Sequence, residues 1–149
     1  MIKMLRLDER LIHGQVVIKW SRHLSVNRIL VLNDEAANND LIKKSLMMAA
    51  PSDAKVAITT MDEGISLLSD PRAESLSILI LVKTPLDVLK LMKSVDGIKT
   101  VNIGNFGRVA PREGSGARKL YRNNLYLYDS EVEIIRQILD TGVECNYQT

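Results

Sequence analysis

Short aliphatic runs alternate along this chain with segments whose apolar positions recur every three or four residues, the pattern of strands feeding amphipathic helices. The first run, Ile2–Leu7, predicts a strand, and a helix over 14–24 follows, with Val16, Val17, Trp20 and Leu24 on one face. Arg28–Leu32 reads as a second strand. A helix over 39–50 comes next, with Leu41, Ile42, Ser45, Leu46 and Ala49 at core spacing and Pro51 as its stop. Lys55–Thr59 is a third strand, and Thr60-Met61-Asp62-Glu63 has the form of a capping box opening another helix. The continuous apolar run 76–82 suits a central strand covered on both faces. Thr84 then caps a helix with Pro85 at its first position, carrying Leu86, Leu89, Leu91 and Met92.

Residues 100–104 form a fifth strand candidate, and 105–119, with Gly107, Pro111, Gly114 and Gly116, the one long irregular loop. Gly114-Ser115-Gly116 reads as loop flexibility, not a nucleotide cradle. Residues 125–128 suggest a strand, Ser130 a cap for the last helix, Gly142 its end, and 143–147 a final strand. The order predicts a three-layer α/β fold, a mostly parallel central sheet of about seven strands with helices on both faces. No linker or repeat divides 1–149, so a single domain is expected.

Composition narrows the function. The formal net charge is +2 from 20 basic and 18 acidic residues, and aromatic residues make up 4%, so nucleic acid is not the expected partner. The longest apolar stretch falls far short of the roughly 20 residues of a membrane helix, so no direct membrane insertion is expected. With no leader pattern at its start and one cysteine, Cys145, read as a buried packing residue, the chain is expected to be cytoplasmic.

In a parallel sheet the ligand site lies beyond the carboxyl ends of the strands, and polar groups collect on those loops. Asp8-Glu9-Arg10-Leu11-Ile12-His13-Gly14-Gln15 follows the first strand, Asn33-Asp34-Glu35 the second and Asn105-Phe106-Gly107-Arg108 the fifth. His13 is the focus, because a free imidazole titrates at about 6.5 and its neutral form is a competent nucleophile. At a helix start, the backbone N–H groups of Gly14 and Gln15 would face an anion. Arg10 could fork onto phosphoryl oxygens, and Asp8 could fix the imidazole tautomer. On the bland alternative, His13 only caps the helix and Arg10 pairs with Asp8 or Glu9 at the surface. His23, beside Arg22 near the helix C-terminus, is read as structural. Walker and Rossmann glycine patterns do not occur, no Cys/His spacing suggests zinc, and no metal or other cofactor is expected.

The run Arg6-Leu7-Asp8-Glu9-Arg10-Leu11-Ile12-His13-Gly14-Gln15-Val16 resembles the signature of IIB components of the mannose/fructose/sorbose phosphotransferase systems. The likeness continues at Asn33-Asp34-Glu35-Ala36-Ala37-Asn38, Met48-Ala49-Ala50-Pro51, Pro85-Leu86-Asp87-Val88 and Val101-Asn102-Ile103-Gly104. It departs at Asn105, where many relatives have a second glycine, and relatives tend to continue past the last strand. The resemblance implies a phosphohistidine at His13, on Nδ1, with Asp8 orienting and Arg10 binding phosphate. It implies a IIA protein or domain as donor and a sugar held by membrane components IIC and IID as acceptor. Arg6, Asn33, Asp34, Asn38 and Asn105 are expected to line the site. Lys19, Arg108 and Arg112 would join Arg10 in a basic rim that meets the donor. The rival reading is a non-catalytic flavodoxin-like module that binds an anionic small molecule.

Overall fold

The computed structural model describes residues 1–114 and 116–147, so Ser115 of the glycine-rich loop and the last two residues lie outside the described residues. Its strands are β1 (Ile2–Leu7), β2 (Arg28–Leu32), β3 (Lys55–Thr59), β4 (Ile78–Val82), β5 (Thr100–Ile103), β6 (Lys119–Arg122), β7 (Leu125–Leu127) and β8 (Glu144–Asn146). Six of them form one sheet in the order β3-β2-β4-β1-β5-β8, and every pairing in it is parallel. The helices are α1 (Val16–Leu24), α2 (Asp34–Asn38), α3 (Asp40–Ala49), α4 (Met61–Ser69), α5 (Pro85–Ser94) and α6 (Asp129–Asp140), with a 3-10 turn at Pro71–Ser75.

Strand alternation divides the core in two. Leu5 and Leu7 of β1, with Ile78, Ile80 and Val82 of β4, face Leu68 of α4, Val88 and Leu91 of α5 and Ile135 and Ile138 of α6. Met4 of β1, with Leu79 and Leu81 of β4, faces Val17 of α1, Ala36 of α2 and Leu46 of α3. The three-layer α/β class is thus as expected, and β4, all five residues buried, occupies a sheet centre covered on both faces.

Several expectations are corrected. The central sheet has six strands, because β7 pairs antiparallel with β6 in a separate hairpin. All four residues of β6 are exposed, so no apolar alternation marks it, and it takes the end of the loop expected to be irregular. The hairpin is joined to the end of β5 through Phe106, which bridges to Leu125. The second helical segment is two helices, since Asn39 is extended and its side chain caps α3 by accepting from the N–H groups of Leu41 and Ile42. Starting there, α3 turns Leu41 and Ser45 to solvent and buries Leu46. The last helix begins at Asp129 after an N-cap at Tyr128, not at Ser130, and Glu131 Oε1 accepts from the Tyr128 N–H at 2.8 Å. Cys145 is half-buried, and burial is the main cause of its raised thiol pKa.

Candidate functional site

Two adjacent strands, β1 and β4, send their following helices to opposite faces of the sheet, which opens a crevice at their carboxyl ends. Asp8 sits at the head of β1, its N–H donating to the Val82 carbonyl at 3.0 Å. Beyond it the chain turns sharply. Leu11 adopts a left-handed conformation (φ 57°), and so does Gly14 (φ 51°). The Leu11 strain, roughly 1–2 kcal/mol for a residue with a Cβ, is offset by burial, since Leu11 and Ile12 are 5% and 3% exposed against the α1-side core. With those two side chains anchored inward, the next residue, His13, turns its ring back over Asp8.

His13 Nε2 lies 2.8 Å from Asp8 Oδ2. A carboxylate only accepts, so Nε2 carries the proton and donates, and in the neutral ring Nδ1 then holds the lone pair. The Asp8 side chain is fully buried while His13 keeps 19% exposure. The same Oδ2 receives Arg6 Nη2 at 2.9 Å and Asn105 Nδ2 at 3.1 Å, and Oδ1 receives the Arg10 N–H at 3.0 Å.

Arg6 is itself buried, and burial pulls its guanidinium below the ordinary arginine value while the Asp8 carboxylate works in the opposite direction. Its Nη1 donates to Asn102 Oδ1, and Asn102 Nδ2 donates to Asn146 Oδ1. Arg6, Asn102 and Asn146 are register neighbours on β1, β5 and β8, so a polar row crosses three strands on one sheet face. Gly104 makes room for this row, because a Cβ there would lie 2.5 Å from Arg6 Nη2.

Of the residues marked in the sequence, the structure gathers Arg6, Asp8, His13 and Asn105. Arg10 is exposed, and among the described residues its guanidinium makes no ion pair; its backbone N–H is what reaches Asp8. The helix starts later than expected, since Gln15 is the N-cap of α1 and Gly14 precedes it. The N–H groups without an intrahelical partner are therefore those of Gln15, Val16, Val17 and Ile18. Gly14, Gln15 and Lys19 are exposed, as are Arg108 and Arg112 on the long loop.

Asn33, Asp34 and Asn38 follow β2, at the same carboxyl edge of the sheet and two strands from β1. They serve local structure. Asn33 Oδ1 caps α2 at Ala36 N, Asn38 Nδ2 donates to the Asp34 carbonyl, and Asp34 Oδ1 accepts from the Met61 N–H at 2.8 Å, tying α2 to α4. His23 is exposed at the last turn of α1, edge-on to Trp20 with ring centroids 6.0 Å apart.

Sequence reasoning missed three participants. Asn102 and Asn146 were polar breaks within apolar strand patterns, a signal that could have been read. Glu9 had none, standing among charged neighbours, yet it is 5% exposed and its carboxylate accepts from four backbone N–H groups, of Gly107, Arg108, Val109 and Ala110, at 3.0 to 3.3 Å.

The family model for the PTS system sorbose subfamily IIB component matches residues 2–149. A Streptococcus pyogenes protein described as a probable phosphotransferase enzyme IIB component is 38% identical over 108 residues, 72% of this chain and 66% of that protein. The mannose-specific EIIAB component of Escherichia coli is 28% identical over 143 residues, 96% of this chain and 42% of the relative. The chain thus spans less than half the length of that two-part relative. Among solved structures, the IIBSor domain of the sorbose permease from Klebsiella pneumoniae superimposes with a TM-score of 0.87 at 28% identity, covering 99% of this chain and 86% of that one. Among the described residues, no helix is long and apolar enough to cross a membrane.

Proposed function

The chain belongs to the sorbose-subfamily IIB family of phosphotransferase-system components, and on that premise we propose that it relays a phosphoryl group through His13 from a IIA donor to a sugar. The observation that carries the reading is the 2.8 Å contact between His13 Nε2 and the buried Asp8 carboxylate, which leaves the Nδ1 lone pair as the nucleophile. In the first step Nδ1 attacks the phosphorus held by IIA. An N–P bond forms as the bond to the donor breaks, and Asp8 balances the positive charge that the ring acquires. In the second step a sugar hydroxyl attacks the same phosphorus, the N–P bond breaks, and the imidazole returns to its starting form as the hydroxyl proton passes to solvent. Phosphoryl transfer of this kind needs in-line positioning and charge balance more than covalent help from the protein. Arg10, exposed and without an ion-pair partner among the described residues, is available to fork onto the phosphoryl oxygens, and the first N–H groups of α1 follow His13 closely in the chain.

On this reading residues 1–149 act as one IIB domain on the cytoplasmic side of the membrane. The donor is a IIA protein or domain, as the two-part mannose relative suggests, and the acceptor sugar is held by IIC and IID. Incubation with phosphorylated IIA, followed by mass spectrometry under conditions that preserve acid-labile adducts, tests it. One phosphoryl group on His13 and none on a His13→Ala variant is the expected result. An adduct on His23, or no adduct on the wild-type protein, overturns it, and the second outcome favours a module that binds an anion without turning it over.

A further inference from the structure

Four consecutive backbone N–H groups converging on one point make an anion nest, and here they converge on a carboxylate of the chain's own. We infer that Glu9 is a positioning residue for capture of the phosphoryl donor, holding the 105–110 loop against the His13 loop in the shape that the donor meets. The inference rests on the proposed relay.

Glu9 follows Asp8 directly, so the group that orients His13 and the group that holds the loop share one turn of backbone. The Glu9 N–H donates to the Asn105 carbonyl at 2.8 Å, while the Asn105 side chain donates to Asp8. Both bonds draw the end of β5 onto the end of β1. The far end of the loop is held separately. Arg118 Nη1 and Nη2 donate to the carbonyls of Ala110 and Pro111 at 2.9 Å each, and its Nε pairs with Glu131. A carboxylate therefore fixes the N–H side of the loop, and a guanidinium fixes its carbonyl side. Between them stands exposed Arg108, whose guanidinium lies 5.4 Å from the Tyr126 ring centroid. Glu9 also fills the nest, so these four N–H groups are closed to a phosphoryl group.

Removing the carboxylate should thus free the loop stem while leaving Arg6, Asp8 and His13 in contact. The test compares wild type, Glu9→Gln and Glu9→Ala in two ways. Amide hydrogen exchange at Gly107, Arg108, Val109 and Ala110 is read in the unphosphorylated proteins, and transfer from phosphorylated IIA is read across a range of IIA concentrations. Glu9→Ala should exchange all four amides at least ten-fold faster, and Glu9→Gln, which keeps one acceptor oxygen, should do so at least at Arg108, whose N–H bonds the second oxygen. Both should need at least five-fold more IIA for half-saturation, with a saturating rate within two-fold of wild type. Added formate, small enough to occupy the emptied nest, should bring Glu9→Ala back toward wild-type half-saturation and leave wild type unchanged. Wild-type exchange in Glu9→Gln, or a fallen saturating rate with half-saturation unmoved, overturns the inference. If Glu9→Ala fails to fold, the nearly isosteric Glu9→Gln carries both readings. If the wild-type protein accepts no phosphoryl group, the relay itself is wrong, and the exchange measurement still decides whether Glu9 holds the loop.

Discussion

The Asp8 carboxylate takes four contacts, with Arg6, His13 and Asn105 on one oxygen and the Arg10 N–H on the other. Asp8→Asn keeps the shape but removes the charge facing Arg6, and an amide can present its N–H₂ where an acceptor is needed. Breaking one side of a buried pair typically costs about 3–5 kcal/mol. We expect urea denaturation to show a loss toward the lower end of that range, because Asn102 still accepts from Arg6. Transfer to His13 should fall at least ten-fold, since the tautomer with a free Nδ1 is no longer imposed. Asp87 makes the opposite case. Burial raises its pKa above the unfolded 3.8, the Asp34 carboxylate adds to the rise, and hydrogen bonds from Thr84 oppose it. A carboxyl group raised in the folded state makes that state bind more protons than the unfolded chain, so its contribution is fully present below the unfolded value and is lost as pH rises through the folded one. Asp87→Asn, which cannot ionise, should therefore be more stable than wild type at pH 7, the difference shrinking as the pH is lowered. A series of denaturation curves from neutral to acid pH checks the sign; a variant less stable than wild type at pH 7 contradicts it.

At the scale of elements, the strands were legible wherever burial on one or both faces left an aliphatic run, which is why β1, β2 and β3 fell where the pattern put them, while β4 begins at Ile78, two residues inside the expected run. Elements without such a face were not. The hairpin strand β6 has no buried residue, and the break between α2 and α3 depends on the backbone angle of one asparagine, which apolar periodicity does not encode. The site divides in the same way. Asp8 and His13 could be paired because they share a loop, whereas Asn102 and Asn146 reach Arg6 only through strand order, a property of the folded sheet. The least visible constraint was Gly104, whose hydrogen occupies the space between β5 and the Arg6 guanidinium. Gly104→Ala should displace that guanidinium and cost about 1–3 kcal/mol, as overpacking of a filled interior does. The variant should also lose part of its phosphoryl transfer, because Arg6 cannot shift without disturbing Asp8. Full stability and full transfer would show that the row has slack.

For the molecule as a whole, the expected encounter with the donor is a question of charge. Lys19 on α1 and Arg10, Arg108 and Arg112 on two loops are all exposed. A carrier that must leave one partner before meeting the next is served by fast, charge-guided association more than by tight binding. The transfer rate from IIA should fall as salt shortens the Debye length below about 10 Å. A variant combining Arg108→Glu with Arg112→Glu should be slower at low salt and converge on wild type at high salt. Identical flat profiles would move recognition to another surface.

The polar row across β1, β5 and β8 also orders events in time. Within this stretch Arg6, Asp8 and His13 are synthesised well before Asn146 of β8, which completes the row. At synthesis rates of about 5–20 residues per second, on the order of ten seconds separate the two. During that interval a nascent chain carries its histidine without the finished brace behind Asp8. On the proposed relay, the brace behind Asp8 is therefore complete only once β8, the last of the six sheet strands along the chain, has been made and paired with β5.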